Sequence, residues 1–323
     1  MIKTFKSNKF ISILLVIMCI ILMFNPAFYA KSCLNAISVW AFKVLPLMFP
    51  FFVFTRLIVN LNNPKQSFMD KFFNKLYNTP ICSFSTFFLS ALSGYPMGAK
   101  LISAQFENDI ITKKHAKKML SFCSVSGPMF MIGTVGVGMM KSYKAGVIIL
   151  ISNLIASLLN GLFYRGKKDN FTPNFTTLKR RVNNPLTDSV YDSLIAILMV
   201  GSYIVLSFII IDILNNLHIT STISKIICCV CNIPERQDVV NSILNGSIEI
   251  TRGILNLSNT NLPLRFKTII SSTLIGFGGI SIILQSVSFL NKLNISIKSM
   301  LLQKTTQSIL CLVISSLLCF ILI

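Results

Sequence analysis

Seven stretches of nineteen or more residues contain no Asp, Glu, Lys or Arg: 10–30, 76–99, 119–140, 145–164, 193–211, 268–291 and 305–323. A bilayer core takes roughly 20 apolar residues per helix, and backbone polar groups inside it must be satisfied within the protein. An α-helix meets that condition segment by segment. Runs of this length and number make the chain an all-α polytopic membrane protein. Composition agrees: 53% of the 323 residues are hydrophobic and 12% are charged, whereas soluble domains carry about 25% charged residues.

Lys and Arg outnumber Asp and Glu by 30 to 10. Such an excess suits nucleic acid or an anionic membrane. Here the basic residues sit in short segments between apolar runs. That excludes nucleic acid as a main partner and points to anionic lipids at the cytoplasmic face. His115 and His218 are far apart, so a histidine-based metal site or a Ser-His-Asp triad is poorly supplied. Six of the nine cysteines are scattered singly, and Cys228, Cys229 and Cys231 cluster without a second pair or a histidine at zinc spacing. They read as small buried hydrophobes. GxxxxGK[ST], HExxH and GxSxG motifs are missing from the sequence. No metal, cofactor or enzymatic chemistry is expected.

Lys3, Lys6 and Lys9, an apolar run from Phe10, and then Ala27, Phe28, Tyr29 and Ala30 outline a secretory signal. Bulky Phe28 disfavours small-x-small cleavage, so residues 1–32 are expected to stay as an N-terminal transmembrane helix. A second apolar segment, 34–61, holds Lys43, Pro46, Pro50 and Arg56, and is expected to span with a bend at its prolines. A basic linker over 165–188 separates a first repeat, 33–164, from a second, 189–323.

Sliding the second half back by 152 residues superposes the special positions. Ser90, Leu92 and Gly94 meet Ser242, Leu244 and Gly246; Lys100 meets Arg252; Gly127 meets Gly279. Glycine or proline in mid-segment frees backbone groups that lipid cannot satisfy, so such backbone lines protein or a wet cavity. Interrupted segments at matching positions of two halves point to a transporter binding site.

Charge counting gives the orientation. Let 68–109 be a re-entrant hairpin from the cytoplasm and 219–258 one from outside. The cytoplasmic side then holds 18 basic residues, in 1–9, 65–75, 113–118, 165–181 and 292–298, against 7 outside. The same assignment makes the repeats antiparallel, with about seven spanning helices.

The first hairpin tip reads Ser93, Gly94, Tyr95, Pro96, Met97, Gly98, Ala99, Lys100. Glycine permits a left-handed turn, proline starts the returning arm, and the new helix N-terminus attracts anions. Lys100, one turn further in, either faces that site or snorkels to the interface. The second tip reads Asn245, Gly246, Ser247, Ile248, Glu249, Ile250, Thr251, Arg252, Gly253. Glu249 and Arg252 share a helical face, as a self-contained ion pair or as functional groups inside the membrane. Met97 occupies the place of Glu249 in the first tip, which leaves Glu249 as the acidic candidate for a coupling ion or proton. Ser126 and Gly127 in one broken helix, and Gly278, Gly279 and Gln285 in the other, complete the expected substrate site; helix packing is the plain alternative for the small residues.

Ser93 to Lys100, Ser124 to Pro128, and Gly276 to Gly279 with Gln285 together resemble the sporulation integral membrane proteins of spore-forming Firmicutes. These belong to the nucleoside-recognition, or gate, domain group, whose architecture is similar to that of concentrative nucleoside transporters. The resemblance implies a role in endospore formation, in the mother-cell or outer forespore membrane, and passage of dipicolinate toward the spore. Two tips that each pair a helix N-terminus with a cation, Lys100 and Arg252, suit such a small dianion, while Glu249 counts against it. A nucleoside-type solute and a membrane assembly role without transport are the alternatives.

Overall fold

The computed structural model describes residues 9–61, 68–167 and 184–322. The described residues are helical with no strand. The first part of the chain folds as α1 (Lys9–Phe24), α2 (Pro26–Val39), a π-helical turn Trp40–Val44, α3 (Leu45–Leu61), α4 (Phe68–Tyr77), α5 (Ser83–Ser93), α6 (Met97–Glu107), α7 (Lys113–Cys123), a π-helical segment Met129–Met139 and α8 (Tyr143–Phe163). Then follow α9 (Pro185–Asn216), α10 (Ile219–Val230), α11 (Gln237–Ile248), α12 (Ile250–Ser258), α13 (Leu264–Phe277), α14 (Gly279–Phe289) and α15 (Ile297–Leu322). Of the 165–188 linker, residues 168–183 lie outside the described residues.

Among the described residues five helical runs are long and apolar enough to cross a membrane: Pro26–Ile58, Tyr143–Phe163, Pro185–Asn216, Leu264–Phe289 and Ile297–Leu322. Two spans of the expected seven fall short of that length. The α1 helix has 16 residues, and the run from Lys113 to Met139 is opened at Ser124–Pro128. The boundary expected at 32/33 falls inside α2, because the chain breaks earlier, at Asn25. There the Asn25 side chain accepts the Phe28 N–H at 3.3 Å and Pro26 takes the first helical position, where a missing N–H costs nothing.

The bend expected in 34–61 takes the form of a π-turn just ahead of Pro46. Proline cannot donate to the i−4 carbonyl and its ring crowds it; widening the preceding turn relieves both. The Lys43 carbonyl there accepts Thr134 Oγ1 at 2.9 Å.

The two halves repeat one element order. The α4 and α10 helices start at Phe68 and Ile219, and α7 and α13 at Lys113 and Leu264, 151 residues apart in each case. Equivalent helices also meet: α3 packs on α9 and α8 on α15. Ser152 Oγ and Ser272 Oγ, 2.7 Å apart, join α8 to α13, and Asn160 ties α8 to the Ser121 and Gln303 carbonyls at 2.8 and 3.1 Å. The α5–α6 hairpin packs on α7, with α6 also against α14, and the α11–α12 hairpin packs on α13, with α11 also against α14 and α12 against the second π segment.

Candidate functional site

The α5–α6 hairpin turns through Gly94, at φ +79°, and a cis Tyr95–Pro96 bond. Its tip is seated on the break between α7 and the second π segment. A Cβ on Gly94 would lie 2.4 Å from the Gly127 backbone nitrogen, and one on Gly98 would lie 2.1 Å from the Cys123 carbonyl oxygen. Contact this close is possible here because Gly94 and Gly98 carry no Cβ to meet the facing backbone.

The α11–α12 hairpin is built differently. Its turn is one extended residue, Glu249, at φ −141° and ψ 119°. The turn is therefore at Glu249 rather than Gly246, which lies in the last turn of α11 and faces Leu274 and Gly253. Glu249 Oε2 accepts the Arg252 N–H at 2.7 Å and Oε1 accepts Thr251 Oγ1 at 3.0 Å. The carboxylate thus caps the N-terminus of α12, as an acidic N-cap does, and engages the Arg252 backbone rather than its guanidinium. This tip is seated on the other break, where Gly278 and Gly279 adopt φ +87° and +69° and a Cβ on Gly279 would lie 3.1 Å from the Ile248 carbonyl oxygen.

Between the tips lies a cavity of about 40 Å³, the room of a water or two. Its polar lining is Tyr95, Ser126, Glu249, Thr251 and Gln285. Val44, Met48, Phe130, Val200, Ile204, Ile250 and Ile282 supply the apolar wall. Both hairpins, the first break, α14, α3 and α9 all contribute.

Lys100 and Arg252 are tied to α9. The Arg252 guanidinium bonds Asp212 Oδ1 at 2.8 Å and lies 4.7 Å over the Phe208 ring, and Asp212 also accepts Ser32 Oγ. Lys100 Nζ stands 4.0 Å from Asp192 Oδ1, with Arg56 at 3.9 Å from the other oxygen. Each hairpin's cation therefore has an aspartate of its own.

A cation that the charge-free runs passed over stands beside the first tip. Lys304, on α15, is 5% exposed. Its Nζ donates to Tyr95 Oη at 2.6 Å, to Gln307 Oε1 at 3.0 Å and to the Ser124 carbonyl, 4.6 Å from the Tyr95 ring centroid. The sequence signal was present: Lys304 bounds the last charge-free run. A lysine at such an edge reads as an interfacial one, and only packing reveals that it is buried.

Of the expected site residues, Tyr95, Ser126, Glu249 and Gln285 line the cavity. Gly94, Gly127, Gly246 and Gly279 make the close approaches around it, Gly278 turns the chain at positive φ, and Pro96 lies in the first turn. Ser93 Oγ and Asn245 Oδ1, at matching places in the two tips, are buried without a hydrogen-bond partner. Ser247 bonds back to the Ile243 carbonyl at 2.9 Å and does not line the cavity. Thr251 and the apolar wall were not legible in the sequence. Among the described residues no group of three metal-ligating side chains comes together.

The chain is 25% identical over 312 residues to the sporulation integral membrane protein YlbJ of Bacillus subtilis (strain 168), covering 88% of this chain and 76% of that one. No family model matches the chain, and no solved structure matches it. A likeness running through nearly the whole chain agrees with the integral-membrane reading of its apolar helices.

Proposed function

We propose that this chain is a solute transporter of spore-forming cells, moving a small anionic metabolite, dipicolinate, across the outer forespore membrane. The convergence of two hairpin tips and two broken helices on one cavity carries this reading. Freed backbone groups and polar side chains at membrane depth have a use where they line a solute path. The likeness to a sporulation membrane protein and the resemblance of the tip motifs supply the cell biology. The molecule works as a protein of about seven spans, with one hairpin re-entrant from each side, and carries out no bond chemistry.

The aspartates of α9 support opposed hairpins. Asp192 and Asp212 are 20 residues apart on one helix, about 30 Å at the α-helical rise, roughly the thickness of the hydrocarbon core. Each anchors one hairpin's cation. The hairpins are thus held from opposite membrane faces, and releasing one at a time gives access from alternate sides. The cavity between the tips is the solute site in this cycle. Basic loops on the cytoplasmic side bind anionic lipids.

Glu249, Thr251, Ser126 and Gln285 in the cavity wall favour a second reading, a neutral hydroxylated solute of the nucleoside type. The deciding experiment is dipicolinate in spores and in mother cells of a strain lacking the gene. Empty spores beside a loaded mother cell are expected. Normal spore dipicolinate overturns that substrate and favours the nucleoside reading or an assembly role.

A further inference from the structure

Lys304 sits seven residues into α15, about 10 Å along the helix. An ammonium has three N–H donors and no acceptor. Here three oxygens take all three: Tyr95 Oη, Gln307 Oε1 and the Ser124 carbonyl. All three are neutral. The ion pairs among the described residues join Arg56 and Lys100 to Asp192, Arg252 to Asp212 and Lys292 to Glu107, so no carboxylate among the described residues balances the charge on Lys304. A buried charge in that condition is costly unless a counter-charge arrives.

The geometry also orients Tyr95. Because Oη accepts from Lys304, the phenolic proton is left to donate elsewhere. Tyr95 lines the cavity, and its Oη lies 3.6 Å from where a Cβ on Gly278 would stand. That is the start of α14, where unpaired N–H groups carry positive partial charge. Gln307 Nε2, one turn on from Lys304, is buried without a hydrogen-bond partner and is a spare donor. The acid on the far side, Glu249, keeps its oxygens on Arg252 N–H and Thr251 Oγ1.

We propose that Lys304 and Tyr95 form one recognition unit for a solute carboxylate: Tyr95 donates to the carboxylate in the cavity, and Lys304 positions that donor and supplies the charge the solute neutralises. This rests on the transporter reading above and names the part of the site that selects an anion. Lys304 is a positioning residue, acting through Tyr95.

The test is equilibrium binding to purified full-length protein, with dipicolinate, its neutral dimethyl ester and uridine as probes. The wild type is expected to bind dipicolinate in preference to both neutral probes. Lys304→Met is expected to weaken dipicolinate by roughly ten- to hundredfold and to leave the ester unchanged, which erases the preference. Tyr95→Phe, which removes one hydroxyl, is expected to do the same, and the double variant to lose no more than either single change. Equal losses for dipicolinate and ester in both variants mean a structural role and overturn the proposal. Wild-type preference in both variants overturns it too, while leaving anion transport standing. If the wild type binds uridine and no carboxylate, or binds none of the probes, this unit and the anion reading fall together.

Discussion

The two hairpin tips occupy equivalent places and solve the same turn with opposite chemistry. The first turns on a left-handed glycine and a proline, with no charge at the turn itself, and lies backbone to backbone on Gly127. The second turns on Glu249, an acid that caps its own returning helix. A repeated scaffold therefore does not impose repeated site chemistry. One tip delivers a phenol backed by a lysine to the cavity, and the other delivers a carboxylate. An asymmetric site can handle an anion and an ion or proton together.

The largest effect is expected at the glycines that seat the tips. Gly94→Ala adds a Cβ at positive φ, 2.4 Å from backbone that cannot step aside. A loss of about 4 kcal/mol or more is expected, seen as failure to recover folded protein. At the equivalent Gly246 the nearest atom is the Leu274 Cδ1 at 2.6 Å, the end of a mobile side chain. Gly246→Ala should cost about 1–3 kcal/mol, read as a lower melting temperature in detergent. Equal losses at both sites would break the contrast between a rigid and a yielding seat.

The ionic anchors come next. Asp212→Asn removes half of a close, mostly buried pair and is expected to cost about 3 kcal/mol. Asp192→Asn loosens contacts of 3.9 and 4.0 Å at a carboxylate 35% exposed, and is expected to cost about 1 kcal/mol. Thermal unfolding of the two variants side by side checks the order; a reversed order would mean that the first hairpin is the more tightly anchored one.

At the second tip, Glu249→Gln keeps an oxygen for the Arg252 N–H and removes the charge. Stability should change by less than about 1 kcal/mol, whereas Glu249→Ala, which deletes the cap, should cost about 1–2 kcal/mol. If Gln matches Ala in melting temperature, the charge rather than the cap holds that turn.

The smallest effect belongs to the surface pair of Glu107 and Lys292, 2.9 Å apart and well exposed. The Lys292 hydrogen bond holds the Glu107 carboxyl below its ordinary value. Its contribution is therefore present at neutral pH and is lost as pH falls through that lowered value. Glu107→Gln should barely move the melting temperature at pH 7, and the small difference from wild type should vanish in acid.

The breaks were legible in the sequence because Gly94, Pro96, Gly127, Gly278 and Gly279 act locally: each changes what its own backbone can do, whatever surrounds it. The bent 34–61 segment was legible for the same reason, although not the π-turn that carries the bend. The second tip was read as Asn245 to Gly253, which contains the turn, but Glu249 was not singled out as its turning residue, since an acid in extended conformation has no turn signature. Lys100 and Arg252 stood out as the cations of the two tips, but the partners that hold them on α9 did not.

The sequence by itself determined a membrane-embedded helical chain, the spacing of its apolar runs, and a second half that repeats the first about 152 residues on. These follow from desolvation and backbone conformation, which depend on residue type and near neighbours. Which cation meets which oxygen was left to the tertiary structure. Arg252 finds Asp212 across 40 residues, and Lys304 finds Tyr95 across 209. Such pairings are set by how helices pack, because a charge carries no mark of its partner until the fold brings one within reach.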